Sequence, residues 1–195
     1  MSASSPFPDV TGVILAGGRS RRMGGADKAR LEVGGRRLVD RVADVLQRLF
    51  DRVLIAGDRP ELVRPGLSCV PDVFPGSALG GLHTGLAAAD TPYVFVAACD
   101  MPYIDAEVIR AVLRQRRCCD AVVPRTPLGV EPLFAAYSRS CLPAMEQMLR
   151  SGDYRIKNLF TQVQTCFLAA EQLPGDWRRT LLNINTPDQL RDMDP

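Results

Sequence analysis

The chain has 195 residues, Lys+Arg 24 against Asp+Glu 22, and a formal net charge of +2. A balance this even argues against a generic nucleic-acid binder. Hydrophobic residues at 46% and charged residues at 24% exclude a disordered or collagen-like chain. A chain of this length buries about 70% of its unfolded surface, so one domain that needs neither disulfides nor metals to fold is expected. No apolar run reaches the ~18 residues that would cross a bilayer, so no membrane association is expected. The opening MSASSPFPD lacks the basic start and apolar stretch of a signal peptide. Residues 1–9 read as a flexible tail and residues 10–195 as a single domain.

In chain order, residues 13–16 form a strand ending at Gly17 and Gly18. Leu38, Val42, Val45, Leu46 and Leu49 recur at helical spacing over 38–50. Residues 52–56 are the next strand, closed by Gly57 and Asp58, and 68–70 a short third one. Small residues over 81–89 fit a tightly packed helix. The run 93–99 is almost wholly apolar, as in a central parallel strand covered on both faces. Asp105 is a candidate N-cap for a helix carrying Val108, Ile109, Val112 and Leu113. Strand character returns at 120–123 and 133–137, a helix at 140–150 and a strand at 181–185. Thr186, Pro187 and Gln189 make a capping-box start for a last helix. Strands alternating with helices imply an α/β fold with a mostly parallel sheet and helices on both faces. Ligands of such sheets lie beyond the carboxyl ends of the strands.

The segment after the first strand reads LAGGRSRRMGGADKARL, residues 15–31. Gly17 and Gly18 allow main-chain N–H groups close to a ligand. Arg19, Arg22 and Lys28 add positive charge, a combination suited to a nucleoside triphosphate. The segment is neither GxxxxGK[ST] nor GxGxxG, so P-loop and dinucleotide sites are disfavoured. Asp100, after the long apolar run, can hold Mg²⁺, which needs one or two carboxylates besides waters and phosphates, or it can be a loop acid. Asp72 binds a ribose or an amine, or stabilises a turn; Gly80 and Gly81 follow it as places of close backbone approach. Glu131 faces a second substrate or the solvent. Asn183 and Asn185 share a face if on a strand, aimed at the metal site or capping loops. His83, the one histidine, reads as a packing or surface residue rather than a catalyst.

The six cysteines contain no CxxC pair, so zinc spacing is absent. Reduced thiols, several acting as small core residues, are expected for a cytoplasmic chain.

Taken together, LAGGRSRRMGGADKARL, PDVFPG with LGGL, ACDMP, EPLFAAY and NINTPDQL resemble the molybdenum cofactor guanylyltransferases, in family order and over nearly the whole chain after residue 10. The resemblance implies a Rossmann-like nucleotidyltransferase fold. Asp27–Lys28 resembles the guanylyl branch, whereas cytidylyl relatives more often have Pro-Lys there. By position, the resemblance implies that Leu15, Ala16 and Gly17 contact the guanine nucleotide and that Lys28 binds phosphate. It further implies that Asp72 contacts the nucleotide, that Asp100 binds Mg²⁺ and that Asn183 and Asn185 lie near metal and acceptor. The chain departs from the family at Ser77–Ala78, where GPLGG is common, and near Ala56, where some relatives carry a nucleotide-binding Asn.

The reaction so implied transfers GMP from GTP to the terminal phosphate of molybdenum-molybdopterin in the cytoplasm, with Lys28, Arg22 and Asp100 as the catalytic set. The product would pass to molybdoenzymes or their chaperones, with a companion GTP-binding protein assisting. The alternative is a cytidylyltransferase for the same cofactor, or another nucleotidyltransferase acting on a phosphorylated small molecule. A regulatory module that binds GTP without turnover is a rival from another class.

Overall fold

A computed structural model describes residues 5–16, 31–184 and 189 of the chain. Its centre is an eight-stranded sheet built from β1 (Val10–Leu15), β4 (Val53–Ala56), β5 (Leu67–Val70), β6 (Tyr93–Ala98), β7 (Ala121–Thr126), β8 (Gly129–Val130), β9 (Phe134–Ser138) and β10 (Thr165–Ala169). The strand order is β10-β7-β9-β6-β1-β4-β5, with β8 paired to β7. The short β2 (Glu32–Val33) and β3 (Arg36–Arg37) pair with each other outside this sheet. Pairs β1–β4, β1–β6, β4–β5 and β7–β10 are parallel. Strand β9 runs antiparallel to both β6 and β7. The reversal comes from a hairpin whose Gly129 has φ +131°, a conformation open to glycine. The Thr126 hydroxyl accepts from the Leu128 N–H and donates to the Gly129 carbonyl oxygen. The sheet is thus parallel in its centre and mixed on one side.

Successive side chains of a strand point to opposite faces. In β6, Phe95 and Ala97 enter one apolar cluster, and Val94 and Val96 the other. The first cluster is shared with α1 (Leu38–Leu49) and α3 (Ala106–Leu113); the second with α2 (Ala78–Ala88) and α4 (Leu142–Arg150). Helix α1 buries Leu38, Val42, Leu46 and Leu49, the stripe its spacing predicts. Helix α3 starts where expected, with the Asp105 carboxylate accepting from the N–H groups of Glu107 and Val108. Helix α2 comes very near β1: a Cβ on Gly85 would stand 2.4 Å from Val13 Cγ1. The short helices α5 (Ile156–Leu159) and α6 (Trp177–Thr180) lie in the part of the sequence with the weakest pattern.

Residues 5–9 are fixed to the body. Phe7 packs on Phe50, and Asp9 accepts hydrogen bonds from Arg116 and Arg117. Burial pushes the Asp9 carboxyl up, but the two guanidinium groups outweigh it and hold it below its ordinary value. Residues 181–184 form no strand, contrary to the pattern reading. Leu182 N–H bonds the Arg179 carbonyl oxygen and Ile184 N–H the Asp100 carbonyl oxygen, so their polar groups find partners outside a ladder. The proposed start of a last helix at Thr186 lies outside the described residues.

The thiol expectation also needs correction. Cys119 and Cys166 form a disulfide, with Cα atoms 5.9 Å apart, inside the usual window. Cys166 sits opposite Val122 in the β7–β10 register, at the amino edge of the sheet. Cys99 and Cys141 are buried thiols, as expected of small core residues.

Candidate functional site

The carboxyl edge of the parallel strands brings together the ends of β1, β4, β5 and β6 and the start of β9. Leu15 and Ala16 close β1. The Leu15 carbonyl oxygen accepts from the Cys99 N–H at 3.2 Å, which ties the β1 exit to the loop holding Asp100. Gly17, Gly18, Arg22 and Lys28 lie outside the described residues, as does Asn185.

Asp72 follows β5 and is half-buried. Its Oδ1 is enclosed and has no hydrogen-bond partner among the described residues. Burial pushes its carboxyl above the ordinary value, with the Thr84 hydroxyl pulling the other way. A Cβ on Gly81 would stand 3.4 Å from Leu15 Cδ2 and 3.8 Å from Asp72 Oδ1, so these residues surround one space. Gly80 has a different duty. Its N–H donates to the Ser77 hydroxyl, capping α2, and a Cβ there would stand 1.8 Å from the Phe74 carbonyl oxygen. Gly80 lets the loop after Asp72 lie against the helix start.

Asp100 is half-buried just beyond β6. Glu131 and Asn183 lie on its other side, in a cavity of about 470 Å³ whose walls also include Leu128, Trp177, Arg178 and Leu181. Asn183 is held there because Ile184 is buried against Leu38 and bonds Asp100. Burial pushes the Glu131 carboxyl up, and the Lys157 charge pulls it back in part. The strand order therefore separates two half-sites. Leu15, Asp72 and Gly81 lie toward β1, β4 and β5; Glu131 and Asn183 lie toward β9 and β7; Asp100 stands between them.

Two features escaped the sequence reading. Arg59, beyond β4, donates to the Ala16 carbonyl oxygen at 3.0 Å and pairs with Glu61 at 2.7 Å. It places a cation at the entrance of the glycine segment. Its signal was only its position after Gly57 and Asp58. Trp177, in the cavity wall, is an isolated aromatic without a periodic context. His83 is buried in α2, with its Nε2 3.4 Å from Glu146 and its ring edge-on to Phe74. Both contacts fit the packing role expected of it.

Residues 12–166 match the model of the MobA-like NTP transferase domain. The chain belongs to that family. The probable molybdenum cofactor guanylyltransferase of Pelotomaculum thermopropionicum is 41% identical, covering 93% of this chain and 90% of the relative. The molybdenum cofactor guanylyltransferase of Desulfosudis oleivorans is 36% identical, covering 93% and 92%. Among solved structures, molybdopterin-guanine dinucleotide biosynthesis protein A of Archaeoglobus fulgidus has the same fold. Its TM-score is 0.82 at 23% identity, covering 94% of this chain and 96% of that one. A MobA-like chain is thus a nucleotidyltransferase.

Proposed function

We propose that this chain transfers the guanylyl group of GTP to the terminal phosphate of molybdenum-bound molybdopterin, with pyrophosphate leaving. The observation that carries this reading is the pair of half-sites flanking Asp100. On this reading the nucleotide lies over Leu15 and Asp72 and the acceptor over Glu131 and Asn183, which the strand order and the cavity support. Likeness to molybdenum cofactor guanylyltransferases over 93% of the chain supports these substrates.

A phosphate oxygen of the acceptor attacks the α-phosphorus of GTP. The new P–O bond forms as the bond to the β-phosphate bridge breaks. A phosphate monoester has its second pKa near ~6, so it arrives largely dianionic and needs no general base. His83, buried between α2 and α4, has no part in this step. The barrier is electrostatic: two unit charges ~4 Å apart repel by about 4 kcal/mol at an effective dielectric of ~20. Lys28, Arg22 and the glycine-segment amides are the groups proposed to offset it, joined by Arg59, which is fixed on the Ala16 carbonyl oxygen. The forked guanidinium of Arg22 suits phosphate oxygens.

Asp100 is the proposed holder of Mg²⁺. Among the described residues no three His, Cys, Asp or Glu side chains gather as a metal group. One half-buried carboxylate at the meeting point of two phosphates suits a hard cation that keeps its waters. Such an ion supplies charge neutralisation to the triphosphate when bound. The cytoplasm is the compartment this reading implies, since GTP is the co-substrate.

The decisive experiment is pyrophosphate release with molybdenum-loaded molybdopterin and either GTP or CTP. GTP should support turnover and CTP should not. Equal use of both, or of neither, overturns the reading.

A further inference from the structure

Cys69 stands opposite Ile55 in the parallel β4–β5 register. Four residues of extended strand would carry Arg59 about 13 Å beyond Ile55. Instead the Arg59 N–H donates to the Cys69 Sγ at 3.2 Å, so the chain turns back over the end of β5. The turn is made at Gly57, whose φ of +128° is one that other residues rarely adopt. The Gly57 N–H still donates to the Val70 carbonyl oxygen, and the Gly57 carbonyl oxygen accepts the Cys69 S–H at 2.8 Å. One thiol thus accepts from one side of the turn and donates to the other, which an apolar side chain of the same size cannot do. Packing alone does not call for these two bonds, since Cys69 is only partly buried against the core.

Arg59 leaves this turn toward β1. Its side chain is 17% exposed. The Nε–H donates to Glu61 Oε1 at 2.7 Å, which sets the plane of the guanidinium, and Nη1 donates to the Ala16 carbonyl oxygen at 3.0 Å. The Ala16 N–H donates to the Ala56 carbonyl oxygen, so Ala16 is held on both of its main-chain groups. The contacts run from Cys69 through Arg59 to Ala16, across the ends of three neighbouring strands in the order β5, β4, β1. Ala16 is the residue from which the glycine segment departs. A peptide unit is planar, so a bond to its oxygen restrains the whole unit.

We propose that Cys69 fixes the β1 exit through Arg59 and is thereby a positioning residue for the nucleotide. The second half rests on the guanylyl-transfer reading above, in which GTP lies over Leu15; the first half stands without it. Cys69 touches no reacting group. It holds the turn that aims Arg59, so the effect of losing the thiol is contained within the effect of losing the guanidinium.

The test uses the full chain as wild type, Cys69→Ala, Cys69→Ser, Arg59→Ala and the double variant Cys69→Ala/Arg59→Ala. Amide hydrogen exchange is followed first, with no ligand present. Cys69→Ala should speed exchange at Arg59 and Ala16 about fivefold or more, and leave Leu54 and Val96 in the buried strands as in wild type. GTP affinity is then measured by calorimetry with Mg²⁺ present, and both KM values in the transfer assay. Cys69→Ala should weaken GTP binding and raise the GTP KM about fivefold or more, with the acceptor KM and kcat within about twofold. Cys69→Ser keeps a donor and an acceptor on the same atom and should restore most of the affinity. The double variant should bind GTP within about twofold of Arg59→Ala alone, because one contact acts through the other. Losses that multiply in the double variant overturn the proposal. So does exchange at Ala16 that ignores Cys69→Ala, or exchange that speeds equally at Leu54 and Val96, which marks a general loss of stability. GTP binding unchanged in Cys69→Ala, while wild type binds GTP, also overturns it. If exchange at Ala16 responds as described and wild type binds no GTP, the link from Cys69 to β1 stands and the reading of function falls instead.

Discussion

The Ile184 N–H donates to the Asp100 carbonyl oxygen at 2.9 Å, so the segment carrying Asn183 is fastened to the loop that ends the central strand. The bond is between main-chain atoms. It holds Asn183 near the Asp100 main chain without using the Asp100 carboxylate.

Asp100→Ala is therefore expected to fold normally, with Asn183 still in place. If the carboxylate holds the divalent ion, several kcal/mol of charge stabilisation disappears and guanylyl transfer falls about 1,000-fold or more. Lys28→Ala should lose activity on the same scale. Turnover of either variant near the wild-type rate, with unchanged circular dichroism, would rule out its assigned role.

Asp72 offers a prediction with a sign. Burial raises its folded-state pKa above the ordinary 3.8. Below that ordinary value both folded and unfolded carboxyls are protonated and no penalty exists. As pH rises through 3.8 toward the folded value, the unfolded chain ionises first, and stability is lost. Above the folded value the cost is complete. Asp72→Asn should then melt higher than wild type at pH 7, with the gap closing in acid below the ordinary carboxyl range. Its GTP KM should rise. A variant that melts lower at neutral pH, with the deficit unchanged in acid, would show that the carboxylate is not under this burial strain.

How much of this was legible follows from which forces shape each segment. The run 93–99 announced a central strand because both faces of β6 are covered, and Phe95 and Val96 need no polar side. Asp105 was legible as a cap because the chemistry is local. Antiparallel β9 was hidden because its direction depends on the turn at Pro127–Gly129, a few residues that carry no periodic signal. β10 lies at the sheet edge, half-exposed, and its apolar residues Cys166, Phe167 and Leu168 show no alternation. The short, mostly apolar run Leu181–Ile184 imitated a strand, but Ile184 packs with Leu38 and Leu31. Asp72 and Asp100 were nominated from strand ends and the family pattern. Trp177 and Arg59 were not, since each gains its place from tertiary contacts alone.

The Cys119–Cys166 bond spans 47 residues. Closing a loop of that length removes unfolded-state entropy worth up to about 4 kcal/mol. The bond sits at the amino edge of β7 and β10, away from the cleft. Reduction with dithiothreitol should lower the unfolding midpoint in denaturant and leave guanylyl transfer unchanged. A digest without reductant should yield the two cysteine peptides joined. Separate, alkylated peptides from protein purified without reductant would contradict the pairing.

Gly80 and Gly81 are neighbours with opposite expectations. At Gly80 an added methyl meets the Phe74 carbonyl oxygen at 1.8 Å, and main chain yields poorly. Gly80→Ala should lose about 1–3 kcal/mol to overpacking, against less than about 1 kcal/mol gained in helix propensity. Its melting temperature falls. Phe74 is two residues beyond Asp72, so the same shift also disturbs the nucleotide side. At Gly81 the methyl meets Leu15 and Asp72 at 3.4 and 3.8 Å, ordinary contact. Gly81→Ala should keep or slightly raise the melting temperature, yet fill the space between Leu15 and Asp72 and raise the GTP KM several-fold. Acceptor KM should stay as it is if, as proposed, that substrate binds across Asp100. If Gly81→Ala binds GTP as wild type does, the nucleotide does not lie between Leu15 and Asp72. If it is instead the acceptor KM that rises, the two half-sites have been assigned the wrong way round.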